Sequence, residues 1–289
     1  MIPAAFEYYA PTTVAEAAKL LAKHGDDAKL LAGGHSLIPL MKLRLAQPKA
    51  VIDLRGVSEL SYIKEASGGL SIGATTTYYQ ITSSRAVAKA APVLAEAAGM
   101  VADVQVRNMG TIGGSLSHAD PAGDLPAVVL ALNASISTAT SAGKGRTVPI
   151  DSWFVGLLTT SIKPGEIVTG VSIPALAHMT GTAYEKFANK ASRYAIVGVA
   201  AVITLDTSGA CKDVRIGVTG AGPHAVRAAK TEAALKGKKL DEATIQKAAG
   251  AAADGIDCLS DVHASAEYRT HLTKVCAMRA IQKAASRAK

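Results

Sequence analysis

Apolar and polar positions along the chain follow two periods, and the period switches several times. Near the start, Val14, Ala17, Ala18 and Leu21 fall three and four apart, the spacing of one helical face. Thr13 and Glu16 stand where a capping box would open that helix, and Gly25 stands where it would stop. Short apolar runs at 29–31 and 51–54 predict two strands with a helical stretch at 37–45 between them. Runs at 60–65 and 70–74 flank Gly68-Gly69 and predict a hairpin. Helical pattern returns at 84–98 and at 125–132, where Pro126 occupies a first-turn position that tolerates it. Strands follow at 134–140 and 167–173, then three more at 182–187, 196–205 and 214–219. Helices at 225–235, 241–253 and 263–285 complete an α+β pattern. Breaks near 55–56 and 174–181 divide it into domains 1–55, 56–175 and 176–289.

Composition narrows the classes. With 49% hydrophobic and 19% charged residues, the chain is too apolar to be disordered. Even so, its longest apolar stretches, such as 195–205, fall short of the roughly 20 residues of a membrane helix. The N-terminus lacks a basic segment followed by an apolar run, so the expectation is a cytoplasmic protein without a secretory signal. Cys211, Cys258 and Cys276 fit no zinc or iron–sulfur spacing. The formal net charge is +8, and residues 226–289, with 12 basic and 7 acidic side chains, carry +5 of it. Those charges are spread over helical sequence with few aromatics to stack on bases, which points to a solvent- or protein-facing surface and away from nucleic acid.

Two segments carry candidate chemistry. Ala32-Gly33-Gly34-His35-Ser36 lies between a strand and a helix, where glycines let the backbone approach a ligand and free N–H groups attract an anion. Thr111-Ile112-Gly113-Gly114-Ser115 repeats the pattern, a double glycine flanked by hydroxyls, and runs on to His118, Asp120 and Asp124. Either alone reads equally as a tight turn, whereas two in one chain suit a diphosphate. Asp124 could accept from a ribose hydroxyl or an amine, or cap the helix that Leu125-Pro126 begin. A third segment, Gly220-Ala221-Gly222-Pro223-His224-Ala225, formally fits a dinucleotide fingerprint. No second strand follows it, so it reads as a strand-to-helix turn. Triphosphate-loop and serine-hydrolase signatures are absent, and Trp153 reads as a packing residue beside Phe154.

In their wider context the two glycine segments support a resemblance. Residues 32–45, AGGHSLIPLMKLRL, and 107–115, RNMGTIGGS, resemble the two flavin loops of the FAD-binding medium subunits of molybdenum hydroxylases. The chain looks most like the aerobic carbon monoxide dehydrogenase branch and, more distantly, like the flavin domain of xanthine dehydrogenase. The resemblance spans nearly the whole chain and includes Phe6-Glu7-Tyr8 and Tyr184-Glu185-Lys186-Phe187. It implies a vanillyl-alcohol-oxidase-type FAD-binding fold, with two N-terminal subdomains holding FAD and a C-terminal domain of three strands and helices closing over it. It also implies a large partner subunit with the molybdenum cofactor and a small one with two [2Fe–2S] clusters, assembled as a dimer of heterotrimers. The flavin would take electrons from the nearer cluster and pass them to an external acceptor. Any membrane association would be peripheral and through the complex.

Carried over by position, the resemblance assigns Ala32, Gly33, Gly34, His35, Ser36, Thr111, Gly113, Gly114 and Ser115 to the pyrophosphate and ribityl region. Val101 would pack near the flavin, Asp124 would be a hydrogen-bonding carboxylate, and Val168 would touch the adenine end. Lys186 would bring a positive charge near the flavin ring, and Tyr194 would cover the ring. Without the resemblance, Lys186 reads as a surface strand lysine and Tyr194 as a surface tyrosine. Two positions depart from the family pattern: His35 stands where many relatives have Gln, and Ser115 where Asn or Asp is frequent. A cysteine-rich insertion found in some relatives is missing, so no iron–sulfur cluster is expected in this chain. The alternatives are the flavin subunit of another molybdenum hydroxylase, of aldehyde, xanthine or nicotinate type, and a free-standing FAD oxidoreductase, for which no acid–base pair stands out.

Overall fold

The structure is a computed structural model that describes residues 1–66 and 68–288. Among the described residues, three larger sheets follow one another along the chain, beside one two-stranded hairpin. The first is parallel, with β1 (Glu7–Tyr9), β2 (Ala28–Leu31) and β3 (Ala50–Asp53) in the order β1-β3-β2. Helix α1 (Val14–His24) makes the first crossover and α2 (Leu37–Lys42) the second. Thr13 caps α1 by accepting from the Glu16 N–H, and Ala17 and Ala18 are fully buried beneath it. The Glu16 carboxylate reaches back to the Thr12 N–H, one residue before the expected partner. Gly25, at φ 53°, ends the helix as its position predicts.

The second sheet is antiparallel and has the order β4-β5-β10-β6-β7. Its strands are β4 (Ile63–Ala66), β5 (Gly69–Gly73), β6 (Ser135–Thr140), β7 (Gly143–Pro149) and β10 (Ile167–Pro174). A small hairpin, β8 (Phe154–Gly156) with β9 (Thr159–Thr160), lies between β7 and β10 in the chain. Six helices sit between β5 and β6: α3 (Tyr78–Ser83), α4 (Arg85–Ala90), α5 (Pro92–Met100), α6 (Val104–Met109), α7 (Ile112–His118) and α8 (Asp124–Ala131). The single helix expected at 84–98 is thus two, because Pro92 cannot continue α4 and instead opens α5 at its first position. Trp153 is fully buried, and its indole N–H donates to the Leu116 carbonyl at 2.8 Å.

The third sheet has four strands among the described residues: β11 (Thr180–Ala188), β12 (Ala195–Leu205), β13 (Cys211–Thr219) and β14 (Val226–Arg227). The expectation of three strands is corrected by β14, a two-residue edge strand too short to show a period. Consequently 220–225 is a strand-to-strand turn, and the helix expected from 225 begins only with α9 (Ala229–Leu235). Helices α10 (Glu242–Ala249) and α11 (Ala266–Arg287) follow, and α11 lies across β11 and β12.

Helix α8 joins the second and third units. All eight of its residues are buried, because α5 packs on one side and β12 and β13 on another. A helix that is apolar all round except for Asp124 in its first turn is stable when enclosed in this way. The basic side chains of the C-terminal part also serve internally. Lys283 and Arg287 of α11 pair with Glu96 of α5, Arg227 pairs with Glu232, and Arg269 with Asp261. Burial pushes the Cys211 and Cys276 thiols up to about 11, so both remain protonated in the core.

Candidate functional site: a cleft between two glycine turns

One cleft of about 660 Å³ gathers the candidate residues. The segment after β2, α6 with the turn into α7, the start of α8, Val168 of β10 and the loop before β12 all line it. Of the residues singled out from sequence, Ala32 through Ser36, Val101, Thr111, Gly113, Gly114, Ser115, Asp124, Val168 and Tyr194 face this space. Lys186 stands behind the wall, outside the cleft lining, and pairs there with Asp124. This volume falls in the range of small-molecule and cofactor sites.

The first glycine turn follows a parallel strand and crosses to a short helix. Gly34 adopts φ +76°, a left-handed conformation that glycine enters without steric cost. Gly33 has no Cβ because one would run into the Met109 carbonyl oxygen and lie 2.8 Å from the Gly110 Cα. The two glycine segments therefore touch backbone to backbone at the floor of the cleft. Among the described residues, the N–H groups of Gly33, Gly34, His35 and Ser36 find no protein acceptor, and the Ser36 side chain makes no capping bond. A run of free backbone donors on a cleft wall is an anion-binding nest.

The second glycine segment is built differently. It is the first turn of α7, not a loop as its composition suggests. The Ile112 N–H donates to the Thr76 carbonyl, Gly113 to Ala74, Gly114 to the Thr111 hydroxyl and Ser115 to the Thr111 carbonyl. Gly113 is buried, and a Cβ there would lie 2.6 Å from Ala74. Gly114 and Ser115 are half-buried and face the cleft with a bare Cα and a hydroxyl.

Asp124 does not cap α8; Gly123 holds that position without a side-chain bond. The Asp124 carboxylate is buried in the first turn and takes two donors from β11. Tyr184 Oη donates to Oδ1 at 2.6 Å and Lys186 Nζ to Oδ2 at 2.9 Å. The Lys186 side chain is 3% exposed, so it is neither a surface lysine nor an unpaired charge. Burial pushes the Asp124 carboxyl above its ordinary range, and the charge of Lys186 with the bonds from Lys186 and Tyr184 offsets only part of that.

Tyr194 is about half exposed at the cleft mouth, and its hydroxyl is held above the ordinary tyrosine value by burial and by the charges of Asp120 and Asp124. Tyr78, which neither glycine segment contains, also lines the cleft, and burial pushes its hydroxyl up to about 12. Its helix carried a legible signal, because Thr77 and Gln80 form a complete capping box. His35 is exposed at the rim, and His118 lines the wall. Among the described residues no cluster of His, Cys, Asp or Glu could hold a metal ion, and no helix is long and apolar enough to cross a membrane.

Residues 4–176 match the FAD binding domain in molybdopterin dehydrogenase, and residues 182–284 match the CO dehydrogenase flavoprotein C-terminal domain. The chain is 40% identical to the carbon monoxide dehydrogenase medium chain of Hydrogenophaga pseudoflava, over 99% of both chains. It is 39% identical to the 6-hydroxypseudooxynicotine dehydrogenase complex subunit alpha of Paenarthrobacter nicotinovorans, over 100% of this chain and 97% of the relative. A solved carbon monoxide dehydrogenase from Hydrogenophaga pseudoflava, lacking the Mo-pyranopterin moiety of the molybdenum cofactor, superposes with a TM-score of 0.96. It is 42% identical and covers both chains completely. The chain belongs to the family of FAD-binding medium subunits of molybdenum hydroxylases.

Proposed function

We propose that this chain is the FAD-carrying electron-transfer subunit of a molybdenum hydroxylase of the carbon monoxide dehydrogenase type. It accepts electrons from a [2Fe–2S] cluster of a small partner subunit and delivers them to an external acceptor, while a large partner holds the molybdenum cofactor and oxidises the substrate. Two heterotrimers pair in the complex, which works in the cytoplasm. Domains 1–55 and 56–175 hold the cofactor, and domain 176–289 covers it. The observation that carries this reading is the meeting of both glycine segments at the floor of one dinucleotide-sized cleft.

The cleft residues fit FAD. The free N–H groups from Gly33 to Ser36 suit a pyrophosphate, and Gly114 leaves bare backbone where a side chain would intrude. When bound, FAD supplies redox chemistry that links the iron–sulfur partner to the acceptor. The chain's own residues bind and orient. Ser36 and Ser115 offer hydroxyls, Val101 and Val168 offer apolar walls that exclude water, and Tyr194 covers the mouth. Lys186, neutralised by Asp124, fixes the wall and adds little net charge.

The test is direct. Purified chain, denatured, should release one equivalent of flavin, or folded protein should take up added FAD. Protein that neither carries nor takes up FAD overturns the assignment. A second reading, oxidation of an N-heterocyclic substrate, is favoured by the 6-hydroxypseudooxynicotine dehydrogenase relative, which is as similar over the whole chain. Turnover of carbon monoxide against N-heterocycles by the co-purified three-subunit complex separates the two.

A further inference from the structure

We propose that Tyr184 is a positioning residue for the cofactor cleft: its hydroxyl holds Asp124 as the anion that clamps Lys186 against the carbonyl of Met100, and so fixes the wall residues Val101 and Ala102 that follow. The inference rests on the FAD reading of the cleft and adds a residue that does not touch the cofactor space. Tyr184 is fully buried and absent from the cleft lining.

The geometry follows from the strand. Side chains two apart in β11 point to one face, so Tyr184 and Lys186 both reach Asp124, one to each carboxylate oxygen. Lys186 Nζ also donates to the Met100 carbonyl at 3.1 Å, at the C-terminal end of α5 where a cation is favoured. The next two residues, Val101 and Ala102, line the cleft, and Ala102 holds φ 39°, an uncommon conformation for a residue with a side chain. Arg107 secures the same strap from the other side by donating to the Val101 and Ala102 carbonyls at 2.8 and 2.9 Å.

Room for the tyrosine hydroxyl is built in. A Cβ on Gly198, in the neighbouring strand β12, would run into it. The charged and titratable groups around Asp124 are Lys186 and Tyr184 from β11, Tyr78 from α3, and Asp120 and Tyr194 from the loops over the cleft. Among the described residues, Lys186 and Tyr184 alone donate to the carboxylate. Without the Tyr184 hydroxyl, Asp124 Oδ1 is left buried and unpaired, which favours the protonated, neutral carboxyl and releases the clamp as pH falls.

The experiment is FAD titration by flavin fluorescence at pH 6 and pH 8, with thermal unfolding of each protein alongside. Wild type should bind FAD with nearly equal affinity at both pH values. Tyr184→Phe should bind about tenfold more weakly at pH 6 than at pH 8. In the double variant Tyr184→Phe/Asp124→Asn, which has no carboxyl to titrate, that pH difference should vanish. Should Tyr184→Phe not fold, Gly198→Ala, which crowds the same hydroxyl, should show the same pH dependence. Equal affinity at both pH values in the single variants, or a pH difference that survives in the double variant, would overturn the proposal. A wild type that binds no FAD at either pH would instead overturn the cofactor reading on which it rests.

Discussion

The two glycine turns look alike in sequence and behave differently in space. Each pairs two glycines with a serine just after them, and each lines the same cleft. The turn at 33–34 leaves its N–H groups unspent and bends through a left-handed glycine. The turn at 113–114 spends its N–H groups on Thr76, Ala74 and Thr111 and buries Gly113 against Ala74. The first thus keeps donors free for an anion, and the second is largely a packing device that brings the wall close. A shared motif fixes where the backbone comes near a ligand, but the hydrogen-bond accounts decide which turn can hold an anion.

The hardest test of that contrast is Gly113→Val. Its side chain has to enter the Ala74 backbone, an overpacking that costs about 1–3 kcal/mol. Chemical denaturation should show the loss, with FAD binding falling in step with folding. Gly34→Val places a β-branched residue at φ +76°, a strain of about 1–2 kcal/mol. Here FAD retention should collapse while the protein remains folded, as read by flavin content beside circular dichroism. If both variants lose fold and flavin together, the contrast fails.

A gentler pair sharpens the same point. Thr111→Ala removes the cap of α7 and should cost about 1 kcal/mol. Ser36→Ala removes no capping bond, so it should leave the thermal midpoint unchanged and weaken FAD binding alone. The smallest effect lies away from both turns, at Glu96. Burial raises its carboxyl, but hydrogen bonds from Lys283 and Arg287 outweigh that and hold it below the ordinary carboxylate value. Its contribution, about 0.5 kcal/mol for a partly solvent-screened cluster, is therefore present at neutral pH and lost as pH falls through the folded-state value. The stability gap between wild type and Glu96→Gln should be full at pH 7 and close towards pH 3, without altering FAD binding at pH 7.

What the sequence revealed depended on how local the cause was. Thr13, Gly25 and Pro126 act within one turn, and all three serve as their positions predict. Strands with a buried face, such as β12, announced themselves as apolar runs. Strand β7, with the sequence GKGRTVP, did not, because it lies at a sheet edge and buries only Val148. The helices α6 and α7 were hidden under glycine and asparagine, whose low propensity is overridden by contacts of Gly113 and Gly110 with Ala74 and Tyr78. The Asp124 pair was beyond reach altogether, since its partners stand 60 and 62 residues away and only the β11 register brings them together.

Helix α8 carries a consequence for how the protein is made. Its eight residues, 124–131, leave the ribosome well before β12 and β13, the strands that cover them, at 195–219. At about 5–20 residues per second, the nascent chain displays a helix apolar beyond Asp124 for several seconds. A polypeptide cut short before residue 195 never covers it. Strands β12 and β13 thus arrive as a late cover for α8, and the cleft that α8 helps to wall is completed only once Ser192, Arg193 and Tyr194 have been synthesised.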